Sequence, residues 1–586
     1  MTNLARKFTR GQFSSYVPTL MFSRPLLLRA ILLATPALTS PLVLAQEPDL
    51  GVLTRIRQEG FRKSKVMDTL SELTDRIGPR LTGSTNLRTA NDWTRDQFTK
   101  WGLANSHLES WGPFGAGWAF ESASVRMVSP DIAQFYAIPR PWTPGTSGTV
   151  RGPAIKVKLD AKEDLEKNKG KLTGKILLIE TTPPPATLPA SARTAATAVP
   201  MLGTPHYSET DLADLYHYPS PGGGARGDDG TGRPDRLKRL QFANQLREFL
   251  TSEKPLAVIT TSQRNTDGTI SVQTGGPTFE KGKHDPVATL ALTSEHYNRI
   301  SRLLERKTPV ELEINVVTAI DDEAPAPNNT IAEFPGEDPK LKDEVVMLGA
   351  HLDSWTGATG ATDNAFGCAV VMEAMRILKA IDAHPRRTIR AALWTGEEQG
   401  LLGSAAYVEQ HFASRPPPND PAELKLPKSM WRETGRPLTL KPEHAKVAAY
   451  FNVDNGAGKF RGIFAQENSA VVPIFESWLV PVKDLGASTV TMRTTAQTDH
   501  VSFDRVGLPG FQFIQEELDY VTRTHHTNMD SFEHVKREDA AQASVVMAWF
   551  VYNAAMRDQM LPRKPLPADE KPEKPATDEK EAAAKS

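Results

Sequence analysis

Cysteine is almost missing from this chain of 586 residues, where Cys368 stands alone. A single thiol excludes an intrachain disulfide and a Cys-rich metal cage, so any metal must be held by His, Asp and Glu. It also leaves the N-terminus without the cysteine of a lipid anchor. Excess charge of either sign is missing too. Lys and Arg number 69 against 70 Asp and Glu, a net charge of -1, which excludes a general affinity for nucleic acid or an anionic membrane. Apolar runs are short beyond the N-terminus, and none reaches spanning length. Two motifs are absent as well: no His-Glu-x-x-His helix and no Gly-x-Ser-x-Gly elbow occurs. Single-zinc helical proteases and serine hydrolases therefore lack their signatures.

What is present begins with a leader. Arg24 precedes the apolar run Pro25 to Leu33, and apolar character continues to Val43-Leu44-Ala45. Residues 1–45 read as a signal peptide cleaved after Ala45, with Met21 as an alternative start. Arg29, Pro36 and Pro41 interrupt the run, which leaves it short of a spanning helix. The expectation is export to the periplasm or the extracellular space, with no stable membrane association after cleavage.

Along the rest of the chain the texture changes twice. Residues 46–130 are expected to be helical up to about residue 105, with Leu87, Trp93, Phe98 and Trp101 sharing a face of Thr85 to Trp101. Between 131 and 290, short strands are expected at Gly148 to Asp160, Gly174 to Ile179 and Pro255 to Thr260. They surround a Gly-, Pro- and Asp-rich loop, Pro219 to Pro234. This segment reads as a small inserted β-rich domain. From 291 to 560 strands and helices alternate: Val345 to Ala350, the apolar helix Asn364 to Ile381, Thr388 to Trp394, Val447 to Val453, Phe511 to Ile514, and a closing helix Ala540 to Met556. The pattern predicts an α/β fold, a mixed sheet sandwiched by helices. Residues 561–586, mostly Lys, Glu, Pro and Ala, read as a disordered charged tail.

Ligand-type side chains fall where those strands end. His351 and Asp353 follow the first, Glu397 and Glu398 the second, and Asp454 the third. Asp363 lies on a Gly-rich loop before a helix, and His526 follows the fourth strand. Open α/β sheets place their sites at the carboxyl ends of strands, so these residues are expected to converge. Each has a plainer reading by itself. His351-x-Asp353 is an ordinary surface pair, Asp363 an N-cap, Glu397-Glu398 a solvated pair, and Asp454-Asn455-Gly456 a turn. Taken together they do not fit those readings. Two histidines and three of these carboxylates already exceed the needs of one zinc, whose catalytic form takes four ligands with one position left for water. They suit two metals about 3.5–4 Å apart sharing a carboxylate. Glu397 and Glu398 can then divide the roles of base and ligand.

Six blocks in order carry a resemblance to the M28 metallopeptidase family: Gly349 to Ser354, Gly360 to Ala365, Trp394 to Ser404, Asn452 to Asp454, Thr498 to Phe503, and His525 to Asp530. The resemblance implies two zinc ions per chain in a zinc-dependent exopeptidase fold. It implies that His351 and Asp454 bind one zinc, Glu398 and His526 the other, and that Asp363 bridges them. Glu397 would be the general base, and Asp353 would orient His351. His525 stands where the family usually has a tyrosine that helps hold the oxyanion. The His525-His526 pair resembles the plasma glutamate carboxypeptidase branch. Asp499 and His500 are candidates for the substrate pocket. Residues 131–290 are similar to the protease-associated insert of some members.

The implied activity is hydrolysis of peptide bonds near peptide termini, with peptides as substrates and an aminopeptidase as the first choice. A dipeptidase or carboxypeptidase of the same fold is the alternative. Glutaminyl cyclases typically hold one zinc and receptor-like relatives lose ligands, so the full ligand set speaks against both. Cys368 reads as a packing residue, and Arg386-Arg387 as an exposed loop.

Overall fold

In the computed structural model, residues 49–180, 208–216, 233–261, 267–273, 278–433 and 435–566 are described. The expected leader, nearly all of the Pro219 to Pro234 loop, and residues 567–586 of the expected tail lie outside them. Among the described residues, no helix is long and apolar enough to cross a membrane.

The strand Val345–His351 is buried from end to end, and its side chains alternate between two cores. Val346, Leu348 and Ala350 enter one core with Phe366–Ala380 and Arg537–Met556, while Val345 and Met347 enter another with Tyr407, Phe412 and Phe503. A sheet covered on both faces needs near-continuous apolar strands, which explains the runs seen in the sequence. This sheet has eight strands, in the order Ala104–Ser110, Asn328–Phe334, Thr388–Trp394, Val345–His351, Val447–Asn452, Gly510–Gln515, Phe460–Phe464, Thr489–Thr491. Four neighbours in the middle, from Thr388–Trp394 to Gly510–Gln515, run parallel.

A second eight-stranded sheet takes its strands from Gly117–Ser129 through Glu311–Asp321, past both ends of the 131–290 segment. Helices cover both its faces: Ser294–Glu305 packs on one, Lys162–Asn168 and Arg233–Glu253 on the other. Both sheets lie within one compact unit, Gln46–Ser586. The Arg386-Arg387 expectation needs correction. Arg387 is buried, and its guanidinium pairs with Glu344 at 2.6 Å, closing the start of the Thr388–Trp394 strand against the end of the last helix.

Candidate metal centre

Register explains why the ligand-type residues meet. His351 pairs with Trp394, and Gly349 with Asn452, so three parallel strands end side by side. The chain leaving each strand delivers Asp353, Glu397 with Glu398, and Asp454 to the same edge. Gly349 is required here. A Cβ would come within 2.6 Å of the Tyr450 hydroxyl and 2.8 Å of Trp394 Nε1, two groups hydrogen-bonded to each other at 2.7 Å beneath the site.

Asp363 reaches the edge from the turn Ala361–Ala365, ahead of the helix Phe366–Ala380. It does not cap that helix. Asn364 takes the capping role, accepting from Gly367 N at 2.9 Å, so the Asp363 carboxylate is left for the crevice. Its backbone is clamped from behind by Asp530, which accepts from Thr362 N at 2.6 Å and Asp363 N at 3.2 Å.

One carboxylate faces both histidines. Asp363 Oδ1 lies 3.2 Å from His351 Nε2, and Asp363 Oδ2 lies 3.2 Å from His526 Nε2. His351 Nε2 is also 3.5 Å from Asp454 Oδ1 and 3.9 Å from Glu397 Oε2. His526 Nε2 is 2.9 Å from Glu398 Oε2. His525 sits at the rim, 4.0 Å from Asp363 Oδ2, with its ring between Tyr520 and His526. A cleft beside this group is lined by Trp355, Gly360, Asp363, Glu398, His526 and Asp530.

The polar atoms are poorly paired among themselves. His351 Nε2, Asp363 Oδ2 and Glu398 Oε1 are buried and close no hydrogen bond of normal geometry. Buried carboxylates left in that state are costly, and a divalent cation removes the cost. Two overlapping groups are compact enough to hold one, His351 with Asp363 and Glu398, and Asp363 with His525 and His526. Nitrogen and carboxylate donors without sulfur fit zinc in a hydrolytic site.

The electrostatics have the same origin. Burial raises Glu397 well above the usual carboxylate range, with Asp454, Asp499 and Glu398 adding to it against His351. Burial likewise pushes Glu398 up to about 7, helped by Asp363. Burial disfavours a charged His526, but Glu398 and Asp363 outweigh it and raise the ring to about 10. Burial opposes ionisation of Asp363 too, yet the close approach of His351 and His526, each at 3.2 Å, holds it well below its ordinary value.

Asp353 meets His351 and the glutamate turn with different groups. His351 Nδ1 is oriented at 3.0 Å by the main-chain carbonyl of Asp353, whereas the carboxylate is 3.7 Å away. That carboxylate accepts instead from Thr82 Oγ1 at 3.0 Å and from the backbone N–H groups of Glu397 and Glu398, each at 3.3 Å. It pins the turn that presents both glutamates. Asp499 is wholly buried without a well-formed hydrogen bond, and burial pushes it to about 7. His500 gives its Nε2 to Gln466 and the Thr495 carbonyl rather than to the ligand group. Cys368 is buried and donates to the His351 carbonyl at 3.0 Å.

Sequence reasoning missed three residues that hold this edge in place. Arg80 is fully buried and donates to the carbonyls of Leu73, Gly78, Leu352, Thr359 and Gly360, tying the loops on either side of the site. Its place after Gly78-Pro79 was the available signal. Asp530 sat at the end of a quoted block. Gln273 had no signal, because its contact is made across the two sheets: its Oε1 lies 2.5 Å from His526 Nδ1.

Residues 329–551 match the profile of Peptidase family M28. Carboxypeptidase Q of Bos taurus is 27% identical over 293 residues, which cover 50% of this chain and 55% of that protein. Aminopeptidase YwaD of Bacillus subtilis (strain 168) is 27% identical over 220 residues, 37% of this chain and 42% of that protein. The chain thus spans about half the length of the curated relatives it matches. A crystal structure of a peptidase M28 precursor from Shewanella amazonensis shares the fold, with a TM-score of 0.59 at 22% identity over 88% of this chain and 98% of that one.

Proposed function

From a chain whose residues 329–551 are an M28 peptidase segment, we propose a zinc-dependent exopeptidase that cleaves peptide bonds next to a peptide terminus, with the aminopeptidase reading first. The observation that supports it is the single carboxylate of Asp363 set between two histidines, each flanked by a further carboxylate. In this reading His351, Asp454 and Asp363 would hold one zinc, and His526, Glu398 and Asp363 the other. Bound there, zinc would supply a Lewis acid for the scissile carbonyl and lower the pKa of water towards about 7.

The remaining work belongs to the chain. Glu397 takes the proton of the attacking water and returns it to the leaving amine. Its burial makes it a stronger base than a solvated glutamate. Asp353 holds the Glu397–Glu398 turn through two backbone N–H groups, and so holds the base in reach. His525, at the rim with its ring against Tyr520, is placed to donate to the oxyanion. The second sheet is read as the protease-associated insert, and the leader as the signal for export.

A carboxypeptidase or dipeptidase reading has an observation of its own: the match to carboxypeptidase Q extends over 293 residues against 220 for the aminopeptidase. Metal analysis of the purified chain, with hydrolysis of Leu-p-nitroanilide and of dipeptides with and without chelator, tests both. About two zincs and chelator-sensitive release of nitroaniline support the aminopeptidase. Two zincs with cleavage of dipeptides alone select the second reading. A chain that takes up no zinc on reconstitution refutes both.

A further inference from the structure

The second sheet reaches the metal centre through one short segment, residues 268–273. Ile270 and Asn528 exchange backbone and side-chain hydrogen bonds, with Ile270 N donating to Asn528 Oδ1 at 2.6 Å and Asn528 N to the Ile270 carbonyl at 3.0 Å. Ser271 forms an antiparallel bridge with Thr527, and Val272 N donates to the His526 carbonyl at 3.2 Å. The segment is thus paired, residue by residue, with the loop that carries His526. Behind it, the Arg140 guanidinium donates to the Gln273 carbonyl at 2.7 Å. Arg140 follows directly on the edge strand Ala137–Pro139, and its own N–H bonds the Thr289 carbonyl. The backbone of Gln273 is therefore fastened to the second sheet.

From that anchored backbone the side chain reaches the ring of His526. Gln273 Oε1 lies 2.5 Å from His526 Nδ1, while the ring's other nitrogen, Nε2, faces Asp363 Oδ2 at 3.2 Å and Glu398 Oε2 at 2.9 Å. An amide oxygen only accepts, so Nδ1 must carry the hydrogen. A neutral His526 is then held with its Nε2 lone pair towards the carboxylates, which is the tautomer and the direction a metal requires. His351 is oriented from its own neighbour, the Asp353 carbonyl. His526 borrows its orienting group from a segment that lies between two strands of the other sheet, Ala257–Thr261 and Thr289–Leu292.

We propose that Gln273 is a positioning residue for zinc binding at His526, so that the second sheet completes the metal centre through an amide acceptor. The inference rests on the reading of His526 as a zinc ligand. An outward-facing insert would have no reason to spend a side chain on the ligand's far nitrogen. The packing of Val272 against Gly357 and the bridge to Thr527 would hold the loop without Gln273, which separates docking from orientation.

The test uses the full chain stripped of metal and titrated with zinc against a chromophoric chelator. Gln273→Leu removes the acceptor and keeps the volume, and is expected to weaken the zinc site at His526 by about 10–100-fold. Gln273→Glu keeps an acceptor at Nδ1 and is expected to remain within a few-fold of the unaltered chain. Asn528→Ala, which loosens docking without touching the ring, is expected to change affinity less than Gln273→Leu. Cobalt(II) in the same site should show a changed visible spectrum in Gln273→Leu and an unaltered one in Gln273→Glu. Equal zinc affinity in Gln273→Leu and the unaltered chain overturns the proposal, as does equal loss in the Leu and Glu variants. If the unaltered chain itself binds no zinc, the metal reading of His526 has failed, and this inference with it.

Discussion

The two large sheets of this protein share a plan and differ in what they do with it. Each has eight strands, several parallel neighbours at its centre, and helices on both faces. Parallel strands that end together open a crevice at their carboxyl edge, so both sheets have the place where a site could form. At the edge of the first lie His351, Asp353, Glu397, Glu398 and Asp454. At the edge of the second, Ile179 is followed by Glu180, which pairs with Lys156 at 3.5 Å on the surface. Leu292 is followed there by Thr293, which caps the next helix through His296 N. Topology makes a place and does not make a site. Only the side chains leaving the strands decide between catalysis and ordinary capping.

The sharpest way to break this comparison is to remove Glu397, the base proposed for the first edge. Glu397→Gln is expected to keep its zinc and lose about 10²–10⁴-fold in turnover, measured as kcat beside metal content. Glu180→Gln, at the matching edge of the second sheet, should change neither. Full activity in Glu397→Gln would sink the base assignment.

A smaller effect is expected at Asp353. Asp353→Ala leaves the N–H groups of Glu397 and Glu398 and the Thr82 hydroxyl without their acceptor, while the main-chain carbonyl that orients His351 remains. A loss of about 10–100-fold in zinc affinity or activity is expected. Unchanged values would mean that the turn holds its own shape.

The mildest probe is pH. In the metal-free chain His526 is raised to about 10 and Glu398 to about 7. A raised group keeps its proton up to its own pKa, and zinc must displace that proton. Burial opposes the charge on His351, but Glu397 and Asp454 outweigh it and raise that ring well above its ordinary value too. Below about 7, Glu398 and both histidines release protons on binding, and above it the histidines alone do. Apparent affinity should therefore rise with pH, most steeply below about 7. Calorimetry in two buffers of different ionisation enthalpy measures the released protons, and none released at neutral pH would contradict the shifts.

Much of the first sheet was legible because its strands are long apolar runs bounded by ligand-type residues, as at Val345 to Asp353. Asp363 was ambiguous from sequence, since an aspartate before a helix is normally a cap. It was resolved only when Asn364 proved to hold the cap. The extent of the second sheet was less legible. Its long antiparallel pair, Gly117–Ser129 with Glu311–Asp321, is about 190 residues apart in the chain, a separation that no local pattern spans.

By itself, the sequence determined the alternation of strands and helices and the residues that follow the strands, because burial on two faces and strand ends leave local signatures. What only the tertiary structure decided is which atom of each residue is used and what holds it. Asp353 orients His351 with its carbonyl and the glutamate turn with its carboxylate, Arg80 ties five carbonyls beneath the edge, and Gln273 arrives from 253 residues away to meet His526. Hydrogen bonds of that kind depend on direction and approach between distant segments, and those exist only once the two sheets have packed.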